Sequence, residues 1–166
     1  MKRWLCLALM AAPLWAESPD LEQVWSAVDK AGLPRQLVTL ENSKSFPEAV
    51  IIGRQNPDQS YQLNAIYLQD RYLSPNQASG EILQKLNPEL AIAWVSEILL
   101  AFDKPCLSKP VEFEGSADFV EPSAAADGAG GFRVKLWVRE AKEFTLRQYH
   151  LTSRGTRLSV QQRRAF

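Results

Sequence analysis

Arg133, Lys135, Trp137 and Arg139 are four alternate residues. In an extended chain they set three cations and an indole on one face. An exposed aromatic among basic groups suits a flat or anionic partner. Arg147 follows on the next strand, and Arg154, Arg157, Arg163 and Arg164 add further positive charge. The candidate binding residues are therefore Arg133, Lys135, Trp137, Arg139 and Arg147. A plainer arrangement competes with binding: Glu112, Glu114 and Asp118 on a neighbouring strand can neutralise the stripe by cross-strand ion pairs. Exposed pairs of that kind contribute only about 0 to 1 kcal/mol each, so they form readily without proving much.

Other chemistry is sparse. Cys106 and His150 could form a thiolate and base dyad, with Lys104 nearby to lower the thiol pKa. A small, inert, partly buried cysteine is the commoner arrangement. One histidine and one cysteine past residue 16 do not make a typical zinc set, so no metal is expected. Gly128-Ala129-Gly130-Gly131 lacks the lysine and the strand-to-helix setting of a phosphate loop. No catalytic residue and no cofactor is assigned.

These residues need a scaffold. Ser18-Pro19 reads as a helix start, and Leu21, Val24, Trp25 and Val28 fall on one face. Gln36 to Glu41, Ala49 to Gln55 and Tyr61 to Gln69 read as an antiparallel meander of three strands. Ser74-Pro75-Asn76-Gln77 has the form of a capping box. Asn87-Pro88-Glu89 opens a third helix whose stretch from Leu90 to Phe102 is apolar nearly all round, and it should be buried.

Beyond Pro105 the period changes to two. Val111 to Glu114, Phe132 to Arg139, Phe144 to Thr152 and Thr156 to Gln162 read as four strands, with a turn at Arg154-Gly155 and a long hairpin loop from Glu121 to Gly131. Phe144 and Leu146 differ in parity from Tyr149 and Leu151, which predicts a bulge near Gln148. The expected class is α+β: an early three-stranded meander and a C-terminal four-stranded antiparallel unit packed on two or three helices.

Lys2 and Arg3 precede twelve residues, Trp4 to Trp15, that are apolar but for a Pro13 break, and Ala16 offers a cleavage site. A membrane span needs about 20 apolar residues, so a removable signal peptide over 1–16 and no transmembrane span are expected. One domain should then occupy 17–166, in the periplasm or outside the cell. Residues 17–131 hold 8 basic and 17 acidic side chains, whereas residues 132–166 hold 9 and 2. Export argues against nucleic acid as the partner of that basic end. An acidic envelope protein or an anionic lipid or glycan surface fits better. The expectation is a non-catalytic interaction or assembly module of the bacterial cell envelope. The alternatives are a periplasmic carrier that holds a small apolar ligand between the sheets and the Leu90 to Phe102 helix and, less favoured, a cysteine-dependent hydrolase.

Overall fold

Two antiparallel sheets and three helices make up the computed structural model, which describes residues 18–165; the expected signal segment lies outside them. The architecture is α+β, as the sequence pattern indicates. Helix α1, Leu21–Lys30, is capped by the Asp20 carboxylate, which accepts from the Glu22 N–H at 3.1 Å. The cap is thus two residues later than Ser18, because a carboxylate there also faces the positive end of the helix.

The first sheet runs β1 (Val38–Asn42), β2 (Ala49–Gln55), β3 (Tyr61–Leu68) and β4 (Arg71–Leu73) in sequential order. The fourth strand was not expected. Gln69 and Asp70 both adopt positive φ, 51° and 58°, and close a two-residue hairpin without the usual Asn-Gly signature. One face of this sheet, with Val50, Ile52, Ala65 and Tyr67, packs on Val24 and Val28 of α1. Its other face, with Ile51, Ile66 and Leu68, enters the main core.

Helix α2, Pro75–Ile82, carries the reciprocal cap between Ser74 and Gln77. Helix α3, Pro88–Ala93, continues as a π-helical segment, Trp94–Leu99, and stops there rather than at Phe102. The wider turn is tied off where the Leu100 N–H donates to the Val95 carbonyl at 2.9 Å. Trp94, Val95 and Ile98 are fully buried, and the Trp94 ring meets Phe46 edge-on at 5.1 Å.

The second sheet has five strands. Its path is β5 (Pro105–Cys106), β7 (Phe132–Glu140), β8 (Glu143–Thr152) and β9 (Gly155–Ala165), and β6 (Ser123–Ala126) also pairs with β7. Two expectations are corrected here. Val111–Phe113 is a 3-10 turn rather than a strand, and the stretch from Glu121 to Gly131 contains β6 rather than a loop throughout. Alternation at Val111 and Phe113 has another cause: Phe113 is buried as the plug of a small cluster while Val111 stays exposed.

The parity change in β8 also has a different origin. Its pairing with β7 is continuous from Phe132↔Leu151 to Glu140↔Glu143. Tyr149 and Leu151 face the main core, together with Val134, Leu136 and Val138. Phe144 and Leu146 face the opposite side and form a second cluster with Phe113 and Trp137. A register shift does occur between Leu146 and Arg147, but the extra residue, Gln161, belongs to β9. Each face of the sheet is therefore apolar over a different part of its length.

Candidate functional site

The expected basic stripe is divided by this packing. Trp137 is 0 % exposed, with its ring centroid 5.2 Å from that of Phe113, so it is a core residue and not a contact residue. Arg139 pairs with Glu112 at 3.0 Å and lies over the Phe144 ring at 5.5 Å. Arg147 sits opposite Leu136, on the main-core face, where it pairs with Glu140 and donates to the Tyr149 hydroxyl at 3.2 Å. Arg164 pairs with Asp118 and donates to the Ser116 hydroxyl at 3.1 Å. Glu112 and Asp118 thus neutralise part of the basic end internally, though through the loop over the sheet rather than through a neighbouring strand.

Arg133 and Lys135 remain. Among the described residues neither has an ion pair, and Arg133 is exposed. The register then adds residues that sequence reasoning did not select. Arg133 pairs with His150 on β8, and His150 pairs with Arg157 on β9. Directly opposite residues share a face, so Arg133, His150 and Arg157 form one row across three strands, about 10 Å wide. The signal for this row was the β8–β9 turn. The structure closes it at Thr152↔Gly155 with Ser153 and Arg154 as turn residues. A turn at Arg154-Gly155 would have set His150 opposite Ser159 and dispersed the row.

His150 is held in place from outside the sheet. Its Nε2 lies 2.6 Å from Asp127 Oδ2, while Asp127 Oδ1 accepts from the Ala129 and Gly131 N–H groups, each at 2.8 Å. These donors, His150 first, hold the Asp127 carboxyl at about 2. The loop depends on glycine at this place. A Cβ on Gly131 would come within 2.5 Å of both Asp127 Oδ2 and the Leu151 carbonyl. Beside this clip opens a cleft of about 530 Å³, lined in part by Gln84, Asp127, His150, Ser153, Arg154 and Arg157. Arg154 and Arg157 are exposed and also lack ion pairs among the described residues.

The other candidate chemistry does not assemble. Cys106 pairs with Trp137 while His150 pairs with Arg133, four residues further along β7 and across it. Four residues of strand alone span about 13 Å. Burial pushes the Cys106 thiol pKa up, the opposite of an activated nucleophile. No group of three or more His, Cys, Asp or Glu side chains gathers among the described residues. Glu97 has a lowered pKa: burial opposes this, but the Ser45 and Ser43 hydroxyls and the Lys44 and Ser45 N–H groups, all bonded to it, outweigh burial. That carboxylate is spent on joining the π-helical segment to the β1–β2 loop. Between the sheets and the third helix, Trp94, Val95 and Ile98 pack into the main core, and a groove of about 410 Å³ opens beside that helix with Ser96, Glu97 and Leu100 in its lining. An open groove of about 730 Å³ lies elsewhere, between α1 and the β3–β4 hairpin, with Glu22, Lys30 and Asp70 among its lining.

No family model, curated protein or solved structure matches the chain. No described helix is long and apolar enough to cross a membrane.

Proposed function

We infer that the chain is a non-catalytic interaction module of the cell envelope that contacts an anionic partner through its second sheet. One observation carries this: Arg133, Arg154 and Arg157 cluster at the turn end of that sheet without ion pairs among the described residues, whereas Arg139, Arg147 and Arg164 are paired. These arginines outnumber the one carboxylate beside them, Asp127, and an anion brought to them relieves the repulsion that remains. The contact surface is accordingly the Arg133–His150–Arg157 row with Arg154, rather than the length of the stripe. Lys135 borders it and Arg139 does not belong to it.

Export is part of the reading and rests on Lys2-Arg3 and the apolar run behind them. A mature N-terminus at Glu17 in mass spectra of protein from its native host supports it, and an intact Met1 removes it.

The contact itself is tested with vesicles of phosphatidylglycerol and with an acidic peptide. The double variant Arg133→Glu, Arg157→Glu should abolish association, and Arg139→Ala should leave it near wild type. Association should also fall steeply between 0.1 M and 1 M salt, where the Debye length shortens from about 10 Å to about 3 Å. Binding that survives both charge reversal and high salt overturns the reading.

A further inference from the structure

Strand β9 is eleven residues long, lies at the end of its sheet and has one neighbour, β8. Its other edge carries unpaired backbone groups at alternate positions. The Thr156 N–H points outward, because it donates to the Asn76 side-chain oxygen at 3.1 Å. By alternation the backbone groups of Leu158 and Val160 point the same way, and among the described residues no bond outside the ladder meets them. Helix α2 lies against β9, with Asn76 packed on Gly155 at the start of the strand.

Leu158 and Val160 are 52 % and 49 % exposed. They stand opposite Tyr149 and Arg147, on the face that elsewhere forms the main core. Arg157 stands on the other face, in the row with His150 and Arg133. The edge therefore presents an apolar ledge on one side and cations on the other, in strand alternation.

We propose that this edge binds an extended acidic segment of a partner protein, which adds to β9 as a further strand. Its backbone bonds the outward groups of Leu158 and Val160. Its alternate residues are apolar, to cover those two side chains, and acidic, to meet Arg157, the member of the row that stands on β9. This rests on the reading of the basic sheet as a contact surface, and it names the partner. A lipid surface has no backbone to offer the edge. A second copy of this chain paired antiparallel along β9 would bring Arg157 of one copy towards Arg163 of the other, and like charges opposed across a strand pair are destabilising.

The test uses a short labelled peptide of alternating Glu and Val, followed by fluorescence anisotropy at 0.1 M salt. Leu158→Pro and Val160→Pro each remove one outward donor while leaving the β8–β9 ladder and every charge intact, since proline is tolerated on the open side of an edge strand. Each should weaken peptide binding by roughly tenfold. In the wild-type chain the bound peptide should also slow hydrogen exchange of the Leu158 and Val160 amides, a readout that does not depend on how the variants fold.

Binding that neither proline affects, or that leaves those amides unprotected, overturns the added strand. Association with phosphatidylglycerol vesicles but not with the peptide also overturns it, and leaves the basic contact surface standing. Binding of neither probe ends both. Dimers formed through the β9 edge in sedimentation would overturn the choice of occupant.

Discussion

His150 and Asp127 are 23 positions apart, and nothing local in the sequence joins them. Their bond predicts a pH dependence whose sign follows from the depressed Asp127 pKa. A carboxyl held at about 2 in the folded chain and near 3.9 when unfolded stabilises above the higher value. That stability is lost as pH falls from about 4 to about 2. Urea melts should show wild type more stable than Asp127→Asn at pH 6, with the gap closing over that interval; a constant gap would mean that the carboxylate charge is not what holds the loop. Trp137 reverses its expected role. Alternation placed it on the polar face of a strand, but Phe113, Phe144 and Leu146 bury that part of the face. Trp137→Ala should cost about 3 to 5 kcal/mol in denaturant melts, whereas Lys135→Ala should stay within about 0.5 kcal/mol. Period two fixes which residues share a face, not whether that face is wet. The cover comes from Phe113, in a segment whose alternation reads as a strand but folds as a 3-10 turn.

Elements with local signals were legible. The Ser74–Gln77 capping box and the Asn87 cap, whose side chain accepts from the Leu90 N–H at 2.8 Å, stand where their residues indicate. Elements specified by distant contacts were not. Strand β6 is Ser-Ala-Ala-Ala, with no strand propensity to read, and exists because β7 offers it an edge. The π turn in the third helix leaves no pattern in a segment apolar nearly all round, yet it determines which residues the helix buries. Trp94 is buried within that segment, and its Nε1 donates to the Ser79 hydroxyl on α2 at 3.0 Å. Trp94→Ala should cost about 3 to 5 kcal/mol. Ser79→Ala should cost about 1 to 3 kcal/mol, since it leaves the indole N–H buried without a partner. Near-neutral melts for both would show that the two helices are not joined through this bond.

The main core takes one face of each sheet and the helices between them: Ile51, Ile66 and Leu68 from the first, Val134, Leu136 and Leu151 from the second. Neither sheet can bury that face without the other, so Ile66→Ala and Leu136→Ala should both lower a single transition that far-ultraviolet and near-ultraviolet dichroism report together. Two separable transitions would mean that the sheets fold as independent units. Charge is unevenly shared across the same stack. The acidic residues 17–131 contain all of the first sheet, and the basic residues 132–166 form three strands of the second. The sequence showed that imbalance directly, but where it stays unneutralised depended on the register of β8 and β9. The stacking also bears on synthesis. A ribosome delivers Ile51, Ile66, Leu68 and Trp94 long before Leu136 and Leu151, so the emerging chain holds half a core with no opposite wall. Until the last strands appear it must stay open or be sheltered by a chaperone, since exposed apolar surface invites aggregation. A nascent chain stalled before residue 132 should accordingly remain protease-sensitive throughout, and one released at full length should become resistant in a single step.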